Sequence, residues 1–402
     1  MSNMAAFIPD HVPHPLVYDF DMYSGPEVTR QPVDAAPALM KRPDIYFTPL
    51  NGGHWVVTRQ KIAVDLLQLP EIFSSDPTKA DKALVTTGIR RIPLDVDPPA
   101  HASYRKILNG LFSPKAVAKM QDMVRQQAQM LIDNVLSEGR CDFVADVAQY
   151  YPSEIFLKLL GIPLDQCGTF MDWVDSAIRS ADPAIAREAS VRVADFIAQT
   201  LAERKKAPGD DILSHLLLQN YDGRPLEQEE LVGISVLLFI GGLDTVVALL
   251  SFVMLYLAEH PGHQRELVDN PELIPDALEE MIRRFSISAI FRYVAEDTCF
   301  SNIEFKKGDR VLIQHFLYGI DDREIDNPLE VDFHRPVSRH TAFGAGPHRC
   351  LGSHLARLEL RVFLAEWLQR IPEFSLATGT NLSFRGGKVI QPVTLPLTWA
   401  CS

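Results

Sequence analysis

A mainly α fold with small peripheral β-sheets is predicted by three observations. Helical periodicity dominates the middle of the 402-residue chain, and strand signals are short and gather towards its two ends. Between them, Leu231 to Ala258 is an almost uninterrupted apolar stretch whose only formally charged residue is Asp244. No Gly/Ser tract, low-complexity run or internal repeat divides the chain, so residues 1–402 are expected to form a single domain.

Ile45 to Phe47 and His54 to Thr58 read as a hairpin across Asn51-Gly52-Gly53, residue types that accept the positive φ of a tight turn. Pro114 to Leu136, Ala184 to Arg204 and Asp276 to Phe285 read as helices opened by Asp, Ser or Pro. Arg310 to Ile313, after Lys307-Gly308-Asp309, reads as a strand, and Thr394 to Trp399 adds a further sheet segment. Leu231 to Ala258 is long enough to cross a membrane, but its flanks, Glu227-Gln228-Glu229-Glu230 and Glu259-His260-Pro261, carry no Lys or Arg to orient it. A buried core helix is the better reading. Its middle, GGLDT from Gly241 to Thr245, sets two glycines, an acid and a β-branched hydroxyl inside that helix, which predicts a bend and a task for the costly buried acid.

A net charge of −13 disfavours nucleic acid as a partner. The odd number of widely spaced cysteines (Cys141, Cys167, Cys299, Cys350, Cys401) argues against a disulfide framework and for a reducing compartment. The N-terminus lacks a basic stretch followed by an apolar run, so neither secretion nor membrane anchoring is expected, and a cytoplasmic location is.

The densest chemical signal is Phe343 to Gly352, FGAGPHRCLG. Gly344, Gly346 and Gly352 let the backbone approach a flat ligand closely, and Pro347 stiffens the loop. Leu351, Leu355, Leu358 and Val362 then follow at helical spacing, so the helix N-terminus faces the Cys350 sulfur and favours thiolate, a strong axial ligand for haem iron. A zinc site lacks ligands, since only His354 is near. A phosphatase-type loop using His348, Cys350 and Arg357 fails on spacing.

With Phe343, Gly346, His348, Cys350 and Gly352 in register, the string resembles the haem-binding loop of the cytochrome P450 family. The resemblance implies the cytochrome P450 fold, a triangular helical haem-thiolate protein, with haem b as cofactor and Cys350 as the axial ligand of its iron. GGLDT resembles the oxygen-activating motif of that family, which makes Asp244 and Thr245 the proton-delivery pair. Glu280 and Arg283 in ALEEMIRR match the structural Glu-x-x-Arg element; its usual third partner, an Arg just before a downstream Phe, is Asp332 here, and Arg335 is the substitute. His101 and Arg105, together with Arg292 and His348, resemble the clamp on the haem propionates.

Stretches such as HVPHPLVYDFDMY, NGGHW, GGLDTVV and EWLQRIPEFS resemble the bacterial camphor 5-monooxygenase subfamily over nearly the whole chain. This implies a class I monooxygenase fed from NAD(P)H through a reductase and a 2Fe-2S ferredoxin, with dioxygen as co-substrate. Arg105, Lys106, Arg349 and Arg357 would form the basic patch that an acidic ferredoxin visits. The subfamily's ketone-binding tyrosine is missing: no Tyr, Phe or Trp lies between Phe73 and Tyr104, and Ile89 takes its place. The pocket wall is expected from Ile89, Leu94, Leu237, Ile240, Gly241, Ser288, Ile290 and Val389, with Lys388 where an aliphatic is usual. A small apolar terpenoid or norisoprenoid, ionone-like, is the implied substrate. A haem-thiolate sensor or binding protein and a peroxide-driven oxygenase are the alternatives, and the intact Asp244-Thr245 pair argues against both.

Overall fold

A long helix, Gln228–Glu259, runs through the middle of the molecule, and the other helices pack around it. The computed structural model describes residues 8–30, 32–79, 89–336 and 340–401. The first seven residues, on which part of the expectation about a leader rests, lie outside that set. Among the described residues this helix alone is long and apolar enough to cross a membrane, and most of it is buried inside the fold, as expected of a core helix.

Its start is fixed by a capping box in which the side chains of Glu227 and Glu230 each accept from the other's backbone N–H. Glu230 also ties in a second helix, Ala100–Asn109, because the Tyr104 hydroxyl donates to it at 2.6 Å. This contact holds the helix that carries His101 and Arg105. On another side, helix Tyr151–Leu160 crosses the central helix, and the Ser153 hydroxyl donates to the Leu243 carbonyl at 3.0 Å.

The C-terminal helix, Ser353–Arg370, begins just beyond Cys350. Fully buried Trp367 anchors it, meeting the Phe143 ring edge-on at 5.4 Å and Phe374 at 5.8 Å. The expected helix Pro114 to Leu136 is two helices, Pro114–Ala118 and Gln121–Leu136, broken at Lys119-Met120. Neither residue is a breaker, so packing ends the first helix.

The main sheet has five strands in the spatial order Ile45–Thr48, His54–Val57, Arg310–Gln314, Ala289–Val294, Phe73–Ser74. Its hairpin turns through Asn51, Gly52 and Gly53, all at positive φ, as that sequence predicts. Arg310–Gln314 runs parallel to His54–Val57, with Val311 opposite Trp55, and antiparallel to Ala289–Val294, with Val311 opposite Arg292. Pro396–Thr398 pairs with both Ser375–Leu376 and Arg140–Asp142, so the chain end is tied to the helical middle.

Candidate active site

The central helix has two faces of opposite character. Leu237, Ile240, Gly241 and Thr245 recur at helical spacing and keep accessible surface in an otherwise largely buried element. A Cβ added at Gly241 would meet nothing within 4 Å, whereas one at Gly242 would come within 2.3 Å of the Phe156 ring. One face therefore borders open internal space and the other is closely packed. The helix is continuous through Gly241–Thr245. Within it the Thr245 hydroxyl donates to the Gly241 carbonyl at 3.0 Å, a back-bond of the kind that favours a bend.

Asp244 turns to the buried side. Arg179 grips it with two parallel bonds, Nη1 to Oδ1 at 2.7 Å and Nη2 to Oδ2 at 2.8 Å, a geometry only guanidinium supplies. Arg179 ends the helix Cys167–Arg179 and donates further to Asp175 at 2.9 Å and Gln391 at 2.7 Å. Burial opposes its charge, but the Asp244 and Asp175 carboxylates outweigh burial and raise its pKa. Asp175, Arg179 and Arg385 also line an open cavity of 410 Å³, at the outer end of this pair and apart from Cys350. Sequence reasoning missed Arg179. The only signal was that a buried carboxylate demands a cation, with nothing local to say which.

Two of the three glycines act in the cysteine loop as expected, whereas Gly352 sits at φ −81° with nothing within 4 Å of an added Cβ. Gly344 and Gly346 hold positive φ, and Gly346 presses so closely on the Leu67 carbonyl that a Cβ would fall 2.6 Å from it. The Cys350 N–H donates to the Phe343 carbonyl at 2.8 Å, closing the loop. Deep in the protein, the Cys350 side chain still keeps accessible surface, which marks it as lining internal space. Burial pushes its thiol pKa up, and the Gly352 N–H, Arg105, Arg357 and Arg349 offset this only in part. The Gly352 N–H at the helix start acts in the expected direction, lowering the thiol pKa against burial.

His101, Arg105, Arg292 and His348 come together beside Cys350. The two imidazoles lie 4.1 Å apart, and buried His348 Nε2 has no hydrogen-bond partner. Desolvation first, then the neighbouring cations, holds His101 at about 4 and His348 at about 3, while burial draws Arg292 down to about 10. Asp97 is the acid that opposes this positive field, and it is already engaged by Ser74, the Ser75 N–H and Lys79. A flat dianion fits the set: the orphaned imidazole nitrogen and two costly cations want carboxylate oxygens, and Gly241 leaves room for a ring. Haem, with a thiolate on its iron and two propionates, has these features.

Ile290 and Arg292 share one face of the strand Ala289–Val294, so the expected pocket wall adjoins the clamp. Ser288 pairs with buried Val389 in a short antiparallel bridge. Half-buried Ile89 and Leu94 sit in the segment before Ala100, pinned to the central helix where the Ile92 N–H donates to the Gly233 carbonyl at 3.3 Å.

Glu280 and Arg283 form a buried pair, Nε to Oε2 and Nη2 to Oε1 both at 2.7 Å. Arg335 Nε reaches Glu280 Oε1 at 3.0 Å, so it is the third member, and the Asp332 N–H donates to the same oxygen at 3.1 Å. A neighbouring acid is a surprise: Glu279 takes Arg357 through two nitrogens and His340 at 3.1 Å. Arg357, expected in a free basic patch, is thereby neutralised and lies over the Phe343 ring at 4.4 Å. Lys106 and Arg349 remain exposed.

Known proteins bear on this arrangement in two ways. The family model described as Cytochrome P450 matches residues 183–381. A protein of Sinorhizobium fredii described as probable cytochrome P450 127A1 is 36% identical, over 98% of this chain and 97% of its own length. The crystal structures of CYP101J2 and cytochrome P450 CYP101C1 each superimpose with a TM-score of 0.88 at 32% identity, covering 98% of this chain and all of theirs. The likeness thus extends across the central helix, the cysteine loop and the sheet together, and the chain belongs to the cytochrome P450 family, the haem-thiolate monooxygenases.

Proposed function

We propose that this cytochrome P450 hydroxylates an unactivated C–H bond of a small apolar terpenoid or norisoprenoid, ionone-like and of about ten to thirteen carbons, using dioxygen and two electrons from a 2Fe-2S ferredoxin with its NAD(P)H-dependent reductase. One observation carries the oxygenase part: Thr245 borders open internal space while the adjacent Asp244 is held in reserve by Arg179. A sensor or a peroxide-driven enzyme has no use for such a pair.

In this reading Cys350 ligates the haem iron, His101, Arg105, Arg292 and His348 hold the propionates, and Phe343 and Gly346 shape the loop beneath. Glu280, Arg283 and Arg335 fix the segment that leads to that loop. Haem supplies the iron centre at which dioxygen is activated. The protein supplies protons and position. Thr245 Oγ1, on release of its bond to the Gly241 carbonyl, would present its proton on the cavity side and be recharged through Asp244, whose carboxylate would first turn away from Arg179 and take up a proton from solvent. Leu237, Ile240, Gly241, Ile290 and Val389 hold the substrate by apolar contact and exclude water.

Exposed Lys106 and Arg349, beside the cysteine loop of a protein with net charge −13, support an acidic ferredoxin as donor. The five cysteines are free, which fits a cytoplasmic enzyme.

Ile89 offers no donor where the camphor-type tyrosine stands, so a ketone held in that orientation loses about 1–3 kcal/mol. Titrating the ferric protein with camphor and with β-ionone, following the Soret band, tests this. A high-spin shift with β-ionone at lower concentration is expected; a tighter response to camphor overturns the substrate reading.

A further inference from the structure

Phe343 is held from two sides, and both holds hang from one carboxylate. The Arg357 guanidinium lies over the Phe343 ring at 4.4 Å, and the His340 ring sits 6.3 Å from it, tilted by 45°. Glu279 receives Nε and Nη2 of Arg357 side by side, the latter at 2.9 Å, and its Oε2 also takes His340 Nε2 at 3.1 Å. The Ala342 N–H donates to His340 Nδ1 at 3.3 Å, which leaves the ring hydrogen on Nε2 for Glu279. Arg357 Nη1 reaches back to the Ser353 carbonyl at 3.3 Å, so every nitrogen of the guanidinium is engaged. The Phe343 carbonyl in turn accepts the Cys350 N–H. One acid on the helix Ile274–Arg284 therefore fixes a cation and an imidazole against the loop that presents the sulfur.

Charge gives this arrangement a direction. Three guanidiniums, Arg105, Arg357 and Arg349, favour the Cys350 thiolate against burial. Of the three, Arg357 alone has a carboxylate partner among the described residues. The pair is neutral overall yet forms a fixed dipole: its positive end rests on Phe343, and its negative end lies on the neighbouring helix. Arg357 and Glu279 keep only 28% and 27% of their side-chain surface, so solvent screens the pair in part. A cation held near a thiolate-ligated iron stabilises the electron added on reduction, and an anion there opposes it. The two partners must then act on the iron with opposite signs, although they brace the same loop.

We propose that Glu279 and Arg357 are positioning residues of the cysteine ligand: Arg357, aimed by Glu279, sets a cation over Phe343 that raises the reduction potential of the haem iron, and Glu279 trims that rise. The consequence is for electron transfer. The potential of the iron decides how readily the ferredoxin reduces it, so the pair tunes the first electron without touching substrate or dioxygen. A merely structural brace predicts something else, because removing either partner would loosen the same loop and move the iron the same way. This inference rests on Cys350 as the axial ligand and adds what governs it.

The test uses ferric holoenzyme of the wild type, of Glu279→Gln, of Arg357→Met and of the double variant. The readouts are the haem reduction potential, from spectroelectrochemical titration without substrate, and the carbon monoxide difference spectrum of the reduced protein. Glu279→Gln should shift the one-electron reduction equilibrium about three- to ten-fold towards the ferrous state, ten-fold being about 59 mV. Arg357→Met should shift it by a similar factor the other way, and the double variant should return to within about two-fold of the wild type. Arg357→Lys keeps the charge and should stay within about three-fold of the wild type. Single variants that shift in the same direction, no shift in either, or Arg357→Lys matching Arg357→Met would each overturn the proposal. If Arg357→Met takes up no haem, Glu279→Gln decides alone, because its amide oxygen still accepts from Arg357: an unchanged or lowered potential overturns the proposal. The wild-type carbon monoxide spectrum separates the two readings. Without a thiolate-type band, Cys350 is not the ligand; with that band and variants that shift together, only the role of the pair fails.

Discussion

Asp244 and Thr245 are adjacent in sequence and separated in environment, and that separation is what makes them useful. One helical step of rotation takes the hydroxyl to the open face and the carboxylate to the buried one. Thr245→Ala should keep NADH oxidation near the wild-type rate while most electrons leave as hydrogen peroxide, measured as peroxide formed per NADH consumed. Unchanged product yield per NADH would remove Thr245 from the mechanism. The positions of both residues were legible in the sequence, because an acid and a β-branched hydroxyl after two glycines stand out in an apolar run. Arg179 was not legible. It ends an amphipathic helix like many other arginines, and its meeting with Asp244 is created by packing between segments far apart in the chain.

Elements explain why similar residues have different consequences. Gly241 and Gly242 share a helix turn, yet a Cβ would enter open space at the first and the Phe156 ring at the second. Gly241→Ala should therefore leave stability unchanged or raise it by up to about 1 kcal/mol through helix propensity, while altering ligand affinity by filling the cavity edge. Gly242→Ala should cost about 1–3 kcal/mol, because buried Phe156 must shift. Thermal melts of the two variants, with β-ionone titrations alongside, check the contrast. The hairpin at Asn51-Gly52-Gly53 and the central helix were legible because turn chemistry and an apolar run are local signals. The break between Pro114–Ala118 and Gln121–Leu136 was not, because Lys119 and Met120 are good helix formers and only tertiary packing stops the helix there.

At the scale of the whole molecule, Glu279 joins three regions: its own helix, Ile274–Arg284, the C-terminal helix through Arg357, and the segment before the cysteine loop through His340. Burial alone would raise its pKa, but the bonds from His340 and Arg357 outweigh burial and hold it at about 2, below its usual value of 4.5. A depressed carboxyl stabilises the fold fully above its unfolded pKa and loses that contribution as pH falls. The loss should therefore run from about pH 4.5 down to about pH 2. Glu279→Gln should flatten the acid limb of a stability-against-pH curve in that window, read by melting temperature, and an unaltered limb would show that Glu279 does not report there. The Glu280–Arg283 pair was visible in sequence, with Arg335 as its third member. Glu279 was overlooked because one of two adjacent glutamates on a helix reads as solvated surface.

The parallel pairing of His54–Val57 with Arg310–Gln314 has a consequence for synthesis in the cell. The hairpin leaves the ribosome early, but the strand that covers its open edge is translated only in the last quarter of the chain. Until then Trp55, Val56 and Val57 form an unpaired, apolar β-edge, the kind that recruits other nascent strands. Chaperones are therefore expected to matter during most of its translation, and faster synthesis or higher temperature is expected to lower the yield of soluble enzyme.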